Sequence, residues 1–480
     1  MGRSASPGAD TAKNLFSPNT PASTPPGRAI SRGKGDPLKS VLIAAALIAG
    51  AAAPSFAKTV RIPVSRGAGG VPVPCGEDPL RTCHNRWHPE IPDAAEADPG
   101  DTVIFETRDA FDNPFNRKST PATVAAANLN LIHPLTGPLH VRGVKRGDVL
   151  AVTMIDVGPG PDNFGYTVAV PGFGFLRDVF TDPAIVRWEL GAREKDGKTR
   201  FATSCDLPGV RLPLHGFAGT IGVELGLPEI ETAFAREEEL RAKQGFVLPP
   251  EPADAVPARL CGPGGRARDR CLRTIPPREN GGNTDVKQMV NGTTLLFPCF
   301  IDGCGLSVGD VHWAQGDGEV SGTAIEMNAI VTVKVEVRKG QAAAFGNWPR
   351  FESNRAGVLK ELAPDHFVAT MGIPVKPAGV VMAPELWIDV NSNHLLRPLR
   401  NESEDVTLAS RDALLKMIAL LTGPTSPAPR KLSAEQAYLL CSVACDLHIS
   451  NLVDVPNYVV SNFLQLDVFS GRSKCDQHDD

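Results

Sequence analysis

The stretch Gly322-Thr-Ala-Ile-Glu-Met-Asn-Ala-Ile-Val-Thr-Val-Lys-Val-Glu-Val337 carries the strongest fold signal of the sequence. It is rich in β-branched residues, and its second half alternates apolar and polar side chains as a half-buried strand does. Residues 102–107 and 149–155 are similar runs, and a Gly-Asp turn precedes each of them. These runs predict a protein built mainly from β-strands.

The high glycine and proline content agrees with a turn-rich, mainly β protein. The 480 residues include 46 Gly and 43 Pro, which is more than an average globular chain contains but less than the share typical of disorder. The net charge of −5 offers no basic surface for a nucleic acid, so we expect no nucleic-acid partner.

Residues 1–57 are expected to be a leader. Residues 1–36 are rich in Ser, Pro, Gly and Ala and predict a disordered segment, or a start codon assigned too early. Residues 37–57 predict a signal peptide, because the apolar run 41–53 is too short to cross a bilayer and precedes the small residues Ser55 and Ala57. We therefore expect a periplasmic or secreted protein with no membrane contact after cleavage. An uncleaved membrane anchor is the alternative.

After the leader, the pattern changes along the chain. Residues 58–345 predict a β-rich domain, interrupted at 228–275 by a surface insertion with a charged helix over 230–244. Residues 346–480 predict a smaller α+β part. It contains a helix over 408–421 and a second helix that begins at the capping box of Ser433 and Gln436 and runs to about His448.

All ten cysteines follow the leader, and an even number in an exported protein predicts disulfides. The nearby pairs to test are Cys75–Cys83, Cys261–Cys271 and Cys299–Cys304. Cys441 and Cys445 lie four residues apart on the predicted helix, where a bridge between them would be strained. They are interpreted as buried thiols, or as paired elsewhere, one of them with Cys475.

Two segments, 279–285 and 309–319, concentrate acidic residues, amides and one histidine among glycines. Asp, Glu and His are ligands for divalent metals, although Asp/Asn-Gly clusters are also ordinary turn chemistry. A G-x-S-x-G pattern centred on Ser307 lacks the following helix that a serine-hydrolase nucleophile requires, so Ser307 is a distant alternative.

These segments resemble the acetamidase/formamidase family. The matching motifs are Arg86-Trp-His-Pro-Glu-Ile-Pro92, His133-Pro-Leu-Thr-Gly-Pro138, Gly281-Gly-Asn-Thr-Asp285, Gly309-Asp-Val-His312 and Gln315-Gly-Asp-Gly-Glu-Val320. They occur in the family's order over roughly residues 84–465, and the Trp-His-Pro start is closer to the formamidase branch.

The resemblance implies hydrolysis of short linear amides to a carboxylate and ammonia. It also implies a jelly-roll type β-sandwich or barrel core, a homo-oligomer and a bound divalent metal, with zinc as the expected ion. Metal-activated water would explain the clustered ligands, because zinc lowers the pKa of bound water to about 7.

Site residues are carried over onto the matching motifs. Asp285, His312 and Glu319 are the expected metal ligands, with Glu319 as third ligand or general base. Asn283 and Asp310 are the other catalytic candidates, Asn283 as an oxyanion donor and Asp310 as the residue that orients His312. The substrate-binding candidates are Gly281, Gly282, His133, Thr136 and Gln315.

A competing hypothesis is a non-catalytic periplasmic binding protein on the same scaffold, since jelly rolls also host lectins. Retention of all the acidic and histidine positions favours the enzyme.

Overall fold

The computed structural model describes residues 57–470, except 192–199, 244, 246, 374–386, 389–394, 397–405 and 454–457. The predicted leader and Cys475 therefore lie outside the described residues. Within them, no helix combines the length and the apolar character that a membrane span needs.

The strands of the first half of the chain are β1 Thr59–Ile62, β2 Cys83–His84, β3 Arg86–Trp87, β4 Ala95–Ala97, β5 Thr102–Thr107, β6 Leu135–Val141, β7 Val149–Pro159, β8 Phe164–Ala169, β9 Ala184–Leu190, β10 Phe201–Thr203, β11 Arg211–Pro213 and β12 Phe217–Gly222. Those of the second half are β13 Leu272–Arg273, β14 Gly281–Asn283, β15 Thr293–Pro298, β16 Cys304–His312, β17 Glu326–Met327, β18 Ala329–Arg338, β19 Arg350–Ser353, β20 Phe367–Gly372, β21 Trp387–Ile388, β22 Leu395–Leu396, β23 Cys445–Asn451 and β24 Val459–Gln465. The helices are α1 Pro121–Ala125, α2 Leu227–Ala242, α3 Ala258–Cys261, α4 Val358–Leu362, α5 Val406–Thr422 and α6 Ala434–Ala444.

Two large sheets enclose the main hydrophobic core. The first has the order β1-β5-β18-β7-β15-β19 and is antiparallel except for the β1–β5 pair. The second follows β11-β10-β9-β8-β17-β16-β12-β14, and β6 joins it by pairing with β16, β2 and β4. Val103 and Val331 of the first sheet and Ile221 and Val308 of the second belong to the same buried cluster. The predicted mainly β class is confirmed.

The stretch 322–337 does not form one continuous strand. Glu326–Met327 pairs with β16 and β8 in the second sheet, whereas Ala329–Arg338 pairs with β5 and β7 in the first. Asn328 lies at the crossing, where its side-chain oxygen accepts a hydrogen bond from the Asp109 amide and its carbonyl accepts one from Gly160. This stretch therefore joins the two sheets.

The α+β character of the C-terminal part is confirmed, with α5 and α6 packed beside the sheet β20-β24-β23. The predicted capping box is present, since Gln436 N donates to Ser433 Oγ and Ser433 N donates to Gln436 Oε1. The end predicted near His448 is wrong, because Cys445 already pairs with Leu464 in β23. Strand pairing, which the local helical pattern does not show, ends α6 at Ala444.

The three predicted disulfides Cys75–Cys83, Cys261–Cys271 and Cys299–Cys304 are present, and Cys205 is also disulfide-bonded. Cys441 and Cys445 are free and buried, so the thiol interpretation is confirmed and the pairing of either with Cys475 is wrong.

The segment 228–275 lies only partly on the surface. Helix α2 exposes most of its residues, as predicted. Leu272 and Arg273, however, form the buried strand β13, which pairs with Trp87 and Arg86. The description as a surface insertion is therefore wrong for the last residues of the segment, which the fold uses as a strand.

Glu224, just after β12, is a buried acid with an unusual environment. It is 1% exposed, and neither carboxylate oxygen has a hydrogen-bond partner. Burial raises the pKa of Glu224 well above its usual value, and a backbone contact at His88 lowers it only in part. The folded protein therefore holds this carboxyl protonated at pH values where the unfolded chain ionises it, and stability falls as the pH rises above about 4.3.

We expect Glu224→Gln to raise the melting temperature at pH 8 and to leave it nearly unchanged at pH 4. Each unit of pKa elevation corresponds to about 1.4 kcal/mol of unfolding free energy. Thermal denaturation at both pH values checks this, with Glu239→Gln on an exposed turn of α2 as the control. An equal shift at both pH values would contradict the role of ionisation.

Candidate active site

His312, the last residue of β16, is the centre of the candidate site. It is completely buried, and its ring packs edge-on against Phe217 with the centroids 5.0 Å apart. Its Nδ1 lies 2.9 Å from Gln315 Oε1, while Gln315 Nε2 donates to the carbonyl of Asp285 at 2.8 Å. Because an amide nitrogen only donates and an amide oxygen only accepts, Nδ1 carries the proton of this pair. Nε2 is therefore the atom that faces the carboxylates.

Four carboxyl groups surround this histidine. Nε2 lies 3.2 Å from Asp310 Oδ1 and 3.3 Å from Glu326 Oε2, and the register of β16 with β17 places Glu326 directly opposite His312. Asp285, His312 and Glu319 form one group, and Asp310, His312 and Glu326 a second, each with its ligand atoms within 4.8 Å of one another. The predicted trio is thus brought together, and Glu326 and Asp310 extend it.

Burial and mutual repulsion determine the charge of the acids. Burial, followed by the charge of Asp310, raises the pKa of Asp285 to about 7. Burial also raises the pKa of Glu326 to about 7 and that of Glu319 well above its usual value. The pKa of Asp310 is low despite burial, because His133 and His312 lie beside it. Such a crowded acidic group favours a proton or a cation among its oxygens.

Three of these acids have a backbone conformation that is rare for non-glycine residues. The φ angles are +47° at Asp285, +51° at Asp310 and +42° at Glu319. Left-handed conformations cost of order 1 kcal/mol or more each and tend to cluster at functional sites. The backbone at these three positions therefore directs the side chains to the site at the expense of conformational energy.

Gly219 and Thr220 of β12 are site residues that the sequence analysis missed. A Cβ on Gly219 would lie 2.5 Å from Asp285 Oδ1 and 2.6 Å from His312 Cε1, so only glycine leaves room for both side chains. Thr220 Oγ1 lies 3.0 Å from Asp310 Oδ2 and 3.1 Å from Asn283 Oδ1. The small residues of 217–222 were the only available signal, and a close-packed strand gives the same one.

We expect Gly219→Ala to lower any hydrolytic activity of this site at least about tenfold while the protein remains folded. A methyl group there forces Asp285 and His312 apart, and misplacement of about 1 Å can cost a hundredfold in rate. Gly264→Ala is the matched control, because a Cβ at Gly264 meets no atom within 4 Å. Equal activity in the two variants would contradict the placement of Asp285 against His312.

Five predicted site residues line one cavity of about 910 Å³, namely His133, Asn283, Asp285, Asp310 and Glu319. His133 Nε2 is 3.6 Å from Asp310 Oδ2. Asn283 Nδ2 donates to the carbonyl of Ile275 at 3.0 Å, so one of its amide hydrogens is already used. Acids, amide and imidazole therefore meet at the wall of a space that can hold a small molecule.

The remaining predicted residues do not line this cavity. His312 and Gln315 lie behind its wall, where Gln315 orients the histidine ring. Thr136 is buried, and its hydroxyl donates to the carbonyl of Glu106. Gly281 and Gly282 form strand β14, which pairs with Gly222 and Ile221 of β12.

Ser307, the distant nucleophile candidate, is completely buried in β16 and lies outside the cavity. His84 Nε2 is 2.8 Å from its Oγ, and His84 Nδ1 is 2.7 Å from the carbonyl of Arg86. The carbonyl requires a proton on Nδ1, so Nε2 accepts the serine proton. This pair resembles a Ser–His dyad, but a substrate in the cavity does not reach it.

A third acidic group lies elsewhere and already contains a cation. Asp317, Asp446 and His448 offer ligand atoms within 4.8 Å of one another. The ammonium group of Lys287 is paired with Asp446 and lies 3.7 Å from Asp317. This group is an ion-pair network that joins β23 to the loop after β16.

Comparisons with known proteins identify the family of this fold. The model of the "Acetamidase/Formamidase family" matches residues 75–471. The chain is 31% identical to an acetamidase from Mycolicibacterium smegmatis over 74% of this chain and 84% of that protein. It is 30% identical to a formamidase from Methylophilus methylotrophus over 80% of this chain and 89% of that protein. Among solved structures, a gamma lactamase from Delftia acidovorans superposes with a TM-score of 0.70 and 29% identity, covering 87% of this chain and 94% of that one.

Proposed function

The chain belongs to the acetamidase/formamidase family, and from this we propose that it is an exported, metal-assisted amidase. Its reaction is the hydrolysis of the C–N bond of a linear amide to a carboxylate and ammonia. The observation that carries the proposal is the convergence of Asp285, Asp310, Glu319 and Glu326 on His312 at the wall of the 910 Å³ cavity.

The residues present fit a divalent metal. Asp285 Oδ1 and Glu326 Oε2 are buried acceptor oxygens without a hydrogen-bond partner, and His312 directs Nε2 toward the same space. Carboxylate and imidazole are a donor set that suits zinc, which is the ion we propose. Asp285, His312 and Glu326 would hold it, and Glu319 then remains available for proton transfer. A bound metal supplies water of lowered pKa and polarises the amide carbonyl.

The chain's own residues perform the remaining tasks. His133 and Asn283 flank the acids at the cavity wall, where they orient the amide group. Glu319 lines the cavity, and its carboxylate lies within 4.8 Å of Asp285 and His312, so it is placed to take a proton from water and return it to the departing nitrogen. Gln315 and Thr220 hold His312 and Asp310 in position.

The test is release of ammonia from formamide, acetamide and propionamide by the purified protein, with metal analysis and with added zinc or chelator. We expect zinc near one equivalent or more, and activity that a chelator removes and zinc restores. If no ammonia forms with or without zinc, the proposal is wrong.

Ser307→Ala is expected to keep kcat/KM within about threefold of the unmodified protein. It removes the partner of a buried His84 nitrogen, so the free energy of unfolding falls by about 1–3 kcal/mol. Amide hydrolysis and urea denaturation measure the two effects separately. Loss of activity without loss of stability would favour a serine nucleophile.

Export and assembly complete the proposal. The leader pattern and the disulfides support a periplasmic or secreted location, since disulfides persist in oxidising compartments. Fractionation of cells that express the full chain checks the location, and light scattering checks the proposed homo-oligomer.

A further inference from the structure

The cavity is much larger and more apolar than formamide or acetamide requires. Its volume of about 910 Å³ is near the top of the range for pockets that hold drug-sized ligands. Besides the acids and His133, its lining includes Phe111, Ile132, Val170, Phe173 and Ile275, which belong to an apolar cluster separate from the main core.

The segment 228–275 supplies a further part of the wall. Leu240 of α2 and the buried Leu248 face this space together with Arg236 and Glu237. Helix α2 is fixed there by two ion pairs, Arg278 with Glu237 at 2.7 Å and Arg236 with Glu279. The apolar residues of this segment are therefore a fixed part of the cavity wall.

A wall of this kind selects the substrate by its acyl group. A primary amide places its carbonyl and nitrogen at the acids, and only the acyl chain extends toward Phe111 and Leu248. Formamide has no carbon there and acetamide has one methyl, so neither removes this apolar surface from water. Each methylene buried in such a space raises affinity about fourfold.

We propose that the physiological substrates are primary amides with a bulky apolar acyl group of about five to eight carbons, linear, alicyclic or aromatic. This inference rests on the proposed amidase function and adds the substrate class. Water adds to the carbonyl carbon, the C–N bond breaks, and the nitrogen leaves as ammonia with a proton from that water, so no other reactant is needed.

The experiment compares kcat/KM for ammonia release from acetamide, hexanamide, cyclohexanecarboxamide and phenylacetamide. We expect hexanamide to exceed acetamide by at least about tenfold and up to about a hundredfold, with the two cyclic amides similarly favoured. Hexanoate, the product, should inhibit competitively more strongly than acetate by a comparable factor.

Leu248→Ala tests the wall contributed by the insertion. The hexanamide-to-acetamide ratio of kcat/KM should fall about tenfold, whereas Leu227→Ala, at an exposed leucine outside the cavity, should leave it unchanged. Melting temperatures of both variants identify misfolding, and the hexanoate inhibition constant of the Leu248 variant gives a second measure of the same pocket.

The outcomes separate the two proposals. Ammonia from acetamide at a rate equal to or above that from hexanamide overturns the substrate class and leaves the amidase function intact. No ammonia from any amide overturns both. An unchanged ratio in a folded Leu248→Ala protein removes the insertion from the specificity wall.

Discussion

Replacement of His312 by alanine is expected to lower kcat/KM for amide hydrolysis by at least about a thousandfold, which corresponds to about 4 kcal/mol of transition-state stabilisation. Among the described residues, the imidazole of His312 belongs to both acidic groups of the site. It lies 3.2 Å from Asp310 and 3.3 Å from Glu326, and it forms the other group with Asp285 and Glu319. Without it, His133 is the remaining imidazole described beside these acids, and it lies 3.6 Å from Asp310 alone. We therefore expect bound zinc to fall together with activity.

His140→Ala is the matched control. His140 also pairs with an acid, Asp93 at 3.4 Å, but it lies outside the cavity. The His140→Ala protein should keep its activity within about twofold of the unmodified protein and should retain the metal. A His312→Ala protein that is folded, as judged by circular dichroism, and still hydrolyses amides at a tenth of the normal rate would remove His312 from the centre of the site.

Glu319→Gln is expected to lower kcat about 10²–10⁴-fold with little change in KM. The glutamine side chain fills the space of the glutamate but cannot take up and release a proton. Glu319 is the acid with the strongest case for this role, since it is partly exposed at the cavity wall and its carboxylate lies within 4.8 Å of Asp285 and His312. Zinc content should be retained in this variant, which separates a base from a ligand.

The comparison variant for Glu319 is Glu237→Gln. This glutamate also lines the cavity, but its carboxylate is paired with Arg278. The Glu237→Gln substitution should alter KM more than kcat. If Glu319→Gln instead loses zinc and keeps normal turnover when zinc is added in excess, Glu319 is a metal ligand and another acid moves the proton.

Much of the site could be predicted because its polar residues lie close in sequence. Asp285, Asp310, His312 and Glu319 fall within two short glycine-rich segments, and residues that share a turn remain near each other in the fold. Thr136 illustrates the limit of this reasoning. It lies in a matching motif, yet its hydroxyl is used by the carbonyl of Glu106. A motif identifies a segment without showing which side chains face the ligand.

The apolar wall could not be predicted in the same way. Phe111, Ile132, Val170 and Phe173 are distributed over more than sixty residues of the chain, and an apolar residue beside a cavity has the same local pattern as one in a core. Only their arrangement in space distinguishes them. The end of α6 could not be predicted for a similar reason. It is set by the pairing of Cys445 with Leu464, which is a contact between residues distant in sequence.

The crossing at Asn328 links formation of the site to completion of the fold. Glu326 pairs with His312 in one sheet, and three residues later Ala329 pairs with Thr107 and Pro159 in the other. The acids lie on the second sheet or on loops that leave it, but the strand that carries Glu326 continues into β18, so the pairs of Ala329 in the first sheet also fix its position. Pairings between residues so far apart in sequence form slowly, because the entropy of chain closure opposes them. Catalytic activity should thus be among the last properties to return when the denatured protein refolds, and no truncated single-sheet fragment should possess it.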